Sequence, residues 1–198
     1  MIPVIIIGGI PGVGKTSISG YLAREFNINI ILSGDYLREF LRPYNDSILN
    51  KSVYEAYKFY GEKTEKNIIN GYLDQTKIIY KGINAILNRS IKNGEQLILE
   101  TLYFLPELID KNIFNKIIPI YIDISDINIH KNRLKSRINY THFNSPGERL
   151  INQLDVYKVI SNYSIENSKN KNVLLVDNIN YDETKEKIKN YIKSKLEL

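Results

Sequence analysis

Apolar and polar positions alternate along this chain in blocks that switch between strand and helix character. Ile2 to Ile7 is a continuous apolar run that Gly8-Gly9 ends, and a run apolar on both faces predicts a central parallel strand. Thr16 to Phe26 follows with helical spacing at Ile18, Tyr21, Leu22 and Phe26. Asn29 to Leu32 reads as a second short strand, and Asp35 to Leu41 as a short helix stopped before Pro43. Ser52-Val53-Tyr54-Glu55 has the capping-box spacing and predicts a helix running past Tyr60. Tyr72 to Leu87, and on toward Ile91, predicts a long helix that Asn93-Gly94 closes. Gln96 to Glu100 is a third strand, Pro106-Glu107 opens another helix, and Ile117 to Ile124 is a fourth strand. Ser125-Asp126 caps a helix through Ile138. Ser145-Pro146-Gly147-Glu148 opens one through about Ser168, Val173 to Val176 is a fifth strand, and Tyr181 to Leu196 is an amphipathic helix. This alternation predicts an α/β fold: a three-layer α/β/α sandwich around a mostly parallel five-stranded sheet, with ligands at the carboxyl ends of its strands.

Composition narrows the picture. The 198 residues suit one domain, and 43% hydrophobic with 25% charged residues is ordinary for a globular core. The absence of cysteine excludes disulfides, thiolate catalysis and Cys-ligated zinc. With 27 Lys+Arg against 22 Asp+Glu the net charge is +5, a mild excess that phosphate-binding side chains explain as well as nucleic acid does. The apolar run near the start is far below the roughly 20 residues of a membrane span, and no basic segment precedes it. The expectation is a cytoplasmic protein without a membrane partner.

Gly9-Ile10-Pro11-Gly12-Val13-Gly14-Lys15-Thr16 satisfies G-x-x-x-x-G-K-[ST] at every defined position, between a predicted buried strand and a predicted helix. Glycines let the backbone wrap a phosphate with its N–H groups inward, and the helix start adds its positive dipole end. Lys15 is expected to reach the β- and γ-phosphates and the Thr16 hydroxyl to sit on Mg²⁺, with Ser17 beside them. The expected ligand is ATP with Mg²⁺, and the fold becomes that of the P-loop nucleoside triphosphate hydrolases and kinases.

Further candidates lie at the predicted strand ends. Asp35, just past the second strand, can accept or orient the proton of an attacking hydroxyl, and Arg38 one turn on can bind an acidic group of the acceptor. Their bland alternatives are a helix cap and a solvated side chain. Glu100 closes an apolar strand, the usual place for a Mg²⁺ or water ligand, against the alternative of a strand-end acid in solvent. His130, Arg133 and Arg137 share one helical face before a polar, aromatic segment, which together look like a lid over about 130–149. Arg133 and Arg137 can neutralise a transferring phosphoryl group, unless they are simply a solvated basic face. Arg149, just after the loop, is a further acceptor candidate, and His130 reads as structural. Tyr54, Tyr57 and Tyr60 at helical spacing suggest a core or cleft wall.

With these residues in view, the chain resembles the kinase domain of the archaeal 2-phosphoglycerate kinase family. The resemblance runs from about Ile2 to Asn178: the phosphate loop, then Ser33 to Glu39, Ser52 to Ala56, Gly71-Tyr72 with Gln75, Leu97 to Glu100 with Pro106, and Ser125-Asp126 with His130, Arg133 and Arg137. It implies ATP-dependent phosphorylation of a hydroxyl on a small phosphorylated acid, with ATP held by Gly9 through Thr16. Two segments depart from the family pattern, both where an acceptor would bind. Glu100-Thr101-Leu102-Tyr103 stands where the family tends to have Glu-Gly and a nearby His, and Tyr157-Lys158 where it tends to have Ile-Arg. Two other readings stay open: a polynucleotide 5′-hydroxyl kinase, the less favoured one, and a nucleotide-dependent binding module without acceptor chemistry.

Overall fold

The computed structural model describes residues 3–137 and 147–197. Five strands, β1 (Val4–Gly8), β2 (Ile30–Ser33), β3 (Leu97–Thr101), β4 (Ile118–Asp123) and β5 (Leu174–Asp177), form one sheet in the order β2-β3-β1-β4-β5, and every pairing is parallel. All five residues of β1 and all five of β3 are buried, which is why both read as unbroken apolar runs. Helix α1 (Lys15–Glu25) follows the phosphate loop, and α2 (Gly34–Leu41) follows β2. A short α3 (Asp46–Leu49) precedes the 29-residue α4 (Glu65–Asn93). Beyond β3 come α5 (Lys111–Phe114), α6 (Ile127–Ser136), α7 (Glu148–Ile151) and α8 (Leu154–Ser168), and α9 (Tyr181–Leu196) ends the fold. Helix α1 packs on α9 and α4 on α8, one pair on each face of the sheet. Among the described residues no helix is long and apolar enough to cross a membrane.

Several boundaries carry their own chemistry. Asp126 Oδ1 accepts from the N–H groups of Asn128 and Ile129 at 2.7 and 3.0 Å, which starts α6. Asn180 Oδ1 accepts from Asp182 and Glu183 at 3.0 and 3.3 Å, which starts α9. Gly94, at φ +69°, takes the left-handed conformation that closes α4.

Four expectations need correction. The Ser52 to Glu55 segment forms a 3-10 helix over Val53–Phe59, and the Ser52 side chain caps nothing. Val53 and Ala56 are its buried residues, a three-residue period, and a Cβ on Gly71 would come within 2.5 Å of Ala56 C. The segment therefore lies flat on α4, and Gly61 at φ +108° turns the chain away before any α-helix forms. Helix α4 begins at Glu65, not Tyr72, because Thr64 Oγ1 accepts from Asn67 N–H at 3.3 Å. Pro106 opens only a three-residue 3-10 turn. The helix expected through Ser168 is broken: α7 packs on α6, so closely that a Cβ on Gly147 would lie 2.0 Å from Leu134 O, whereas α8 packs on α4. Two packing directions require the break at Gln153, whose N–H closes α7 onto Leu150 O at 3.1 Å. Residues 138–146, which include Ile138, Ser145 and Pro146 and part of the segment expected to form the lid, lie outside the described residues.

Candidate active site

The loop from Gly9 to Gly14 joins β1 to α1 at the carboxyl edge of the sheet. Gly12 (φ +84°) and Gly14 (φ +95°) hold conformations that side chains with a Cβ rarely adopt, and their N–H groups find no protein acceptor among the described residues. Ile10 and Val13 are buried and anchor the loop in the core, Pro11 is half-buried, and Ser17 is exposed on the first turn of α1. Lys15 Nζ donates to Ile10 O at 3.1 Å, curling back over the loop.

Register brings the acids to this cation. Glu100 of β3 aligns with Ile7 of β1 on one side and Ser33 of β2 on the other. The Thr16 hydroxyl lies 3.0 Å from each Glu100 carboxylate oxygen, and Glu100 is only 8% exposed. Enclosure lowers the pKa of Lys15, an effect that Glu100 and Asp35 oppose. The same enclosure raises that of Glu100 against the pull of Lys15 and the Thr16 hydrogen bond. Thr16 and Glu100 together offer hard oxygen donors of the kind Mg²⁺ takes, and among the described residues no cluster of three or more His, Asp or Glu could hold a metal alone. Inward N–H groups, a curled lysine and this oxygen pair fit a nucleoside triphosphate with its cation.

Asp35 does not cap α2. Ser33 does, its Oγ accepting from Asp35 N–H at 3.2 Å, so the Asp35 carboxylate stays exposed within the electrostatic reach of Lys15 and Glu100. Arg137 joins this group: burial lowers its pKa, and Asp35 opposes that shift. Arg149 lies close enough to Arg137 to repel its charge. Arg133 goes elsewhere, donating to Ile179 O at 3.0 Å beside Asp177 and reaching toward Gly14. Arg38 lies beside Tyr103 and donates to Leu49 O and Lys51 O at 2.5 and 2.8 Å, pinning the segment before the 3-10 helix. Gln75 of α4 grips the same segment through Ile48 O and Lys51 O at 3.0 and 2.9 Å, and accepts from Tyr103 OH at 2.9 Å.

Tyr103 and Tyr157, from the two segments where the chain departs from the family pattern, both come within the field of Asp35. Tyr157 packs edge-on against the half-buried Tyr54 with centroids 5.9 Å apart, and Tyr103 and Tyr157 are themselves buried. Lys158 instead pairs with Asp123 at 3.1 Å and also meets Ile124 O.

His130 is fully buried, with Nε2 2.7 Å from Pro11 O. Burial lowers its pKa, Lys158 and Lys15 lower it further, and the Pro11 carbonyl and Asp123 oppose them. The unfolded chain, with a His pKa of about 6.5, therefore binds this proton more readily than the folded one. The stability this neutral ring supports is present above that value and is lost as pH falls toward the folded pKa. We expect the melting temperature of the protein to fall relative to that of a His130→Gln variant between about pH 8 and pH 5.5. Parallel curves for the two proteins would contradict this.

A family model described as an AAA domain matches residues 5–150, and the chain belongs to that family of phosphate-loop domains. The chain is similar to mevalonate-3-phosphate 5-kinase of Thermoplasma acidophilum, 49% identical over 180 residues that cover 90% of this chain and 89% of that protein. The 2-phosphoglycerate kinase of Methanopyrus kandleri is 28% identical over 200 residues, covering 98% of this chain and 61% of that longer protein. The solved deoxyadenosine kinase of M. mycoides shares the fold at a TM-score of 0.50 and 16% identity, over 96% of this chain and 100% of that one. The chain is thus an ATP-dependent phosphate-loop kinase of small molecules, and its cofactors are ATP and Mg²⁺.

Proposed function

We propose that this single-domain kinase transfers the γ-phosphate of ATP to a hydroxyl of a phosphorylated hydroxy acid of the mevalonate 3-phosphate class. The observation that carries the reading is 49% identity to the Thermoplasma enzyme across nearly the whole of both chains.

Gly9 to Gly14 wrap the phosphates, and Lys15 holds the β- and γ-groups. Thr16 and Glu100 would hold Mg²⁺, which would supply charge neutralisation on the phosphate oxygens. Asp35 orients the acceptor hydroxyl and takes its proton as the new oxygen–phosphorus bond forms and the bond from phosphorus to the bridging oxygen breaks, releasing ADP. Arg137, beside Asp35, offsets charge on the moving phosphoryl group, and Arg149 meets an anionic group of the acceptor. Arg133, beside Ile179 and Gly14, serves the nucleotide. Arg38 acts on the acceptor side through the segment it pins.

The test is ADP release from ATP and Mg²⁺ with mevalonate 3-phosphate, mevalonate, 2-phosphoglycerate or 5′-hydroxyl RNA offered in turn. We expect kcat/KM for mevalonate 3-phosphate to exceed every other by at least about 100-fold. Faster turnover of 2-phosphoglycerate or RNA would replace the proposed acceptor class.

A further inference from the structure

A loop that points its N–H groups inward must point carbonyls outward, and those carbonyls need donors. Two of them find one each, on separate elements. Pro11 O lies 2.7 Å from His130 Nε2 of α6, and Val13 O accepts from Asn178 Nδ2, just past β5, at 2.8 Å. Both side chains are fully buried. A carbonyl only accepts, so Nε2 carries the proton and His130 is the neutral Nε2–H tautomer. The same logic fixes the Asn178 amide with its NH₂ toward Val13. Neither residue gains a second side-chain bond: His130 Nδ1 and Asn178 Oδ1 have no partner among the described residues. Asn178 is itself fixed by its backbone N–H on Asp123 O at 2.8 Å.

The glycines leave room for these two groups. A Cβ on Gly12 would lie 3.2 Å from His130 Nε2, and one on Gly14 would lie 2.8 Å from Asn178 Nδ2.

We infer that His130 and Asn178 are positioning residues for phosphotransfer, a two-point brace that holds the Pro11 and Val13 peptides in the orientation that presents the loop's N–H groups to the triphosphate. Each acts through the loop and touches no substrate. The brace needs no choice of acceptor, so it stands or falls apart from the acceptor class proposed above.

Calorimetric titration with ATP and Mg²⁺, and separately with AMP, tests it on the parent and on His130→Leu, His130→Gln and Asn178→Leu, with melting curves alongside. Losing either donor leaves a loop carbonyl unpaired and lets the peptide turn. His130→Leu and Asn178→Leu are expected to weaken ATP about tenfold and AMP, which lacks the β- and γ-phosphates, less than about twofold. His130→Gln, whose amide can reach the same carbonyl, should stay within about threefold of the parent. A general packing role would lower the melting temperature while leaving the ratio of ATP to AMP affinity unchanged, and that result would overturn the brace. So would a Gln variant as weak as the Leu variant. If His130→Leu fails to fold, Asn178→Leu and His130→Gln decide by the same ratio. A parent protein that binds no ATP would count against the nucleotide site itself.

Discussion

Lys15→Ala is expected to lower kcat/KM for phosphotransfer by about 10³-fold or more, with the fold intact. The side chain curls over the loop onto Ile10 O at 3.1 Å and is the cation whose field opposes the shift of the enclosed Glu100. Its removal takes away a preorganised charge where phosphate charge accumulates. It also leaves Glu100 with less to favour its ionised form, so the Thr16–Glu100 oxygen pair becomes a poorer seat for Mg²⁺. Nucleotide binding and turnover should therefore fail together. Steady-state kinetics with varied ATP and Mg²⁺ read the effect, and a melting curve close to the parent's separates it from unfolding. A variant within tenfold of the parent would remove the phosphate loop from the mechanism.

Asp35→Asn is expected to reduce kcat by about 10²–10⁴-fold while ATP affinity changes less than about threefold. The substitution keeps shape, and Ser33 Oγ continues to cap α2, so helix and backbone stay in place. What disappears is the negative charge beside Lys15 and Arg137 and the ability to take a proton. The split between an intact nucleotide Kd and a lost kcat marks acceptor chemistry. An Asn variant with parental turnover would favour a nucleotide-dependent binding module, since nothing else in that reading needs a carboxylate there.

These sites differ in how far the chain itself announces them. The phosphate-loop motif is local: every residue that defines it lies within eight consecutive positions flanked by a strand and a helix, so spacing alone suffices. Asp35 and Glu100 could be picked out because both stand at strand ends in a parallel sheet. That Ser33 caps the helix and frees Asp35 was not legible, since a serine and an aspartate two residues apart are both good caps. Arg38 also grips carbonyls 11 and 13 residues away, contacts set by a loop path that no periodicity encodes. The 3-10 helix over Val53–Phe59 carries a capping-box pattern that local physics assigns to an α-helix, and close packing on Gly71 overrides it. The first turns of α4 bury only Ile68 and Gly71, too little for an apolar stripe. A lone asparagine such as Asn178 has no sequence signature at all; its contact with Val13 spans 165 residues.

The strand order has a consequence for how such a kinase diversifies. With β1 in the middle, the two side chains that brace the phosphate loop, His130 and Asn178, hang from the β4 and β5 half of the sheet, and Asp35 hangs from β2 on the other side. Substitutions around Asp35 can therefore alter what is phosphorylated while the His130 and Asn178 contacts keep the phosphate loop in place.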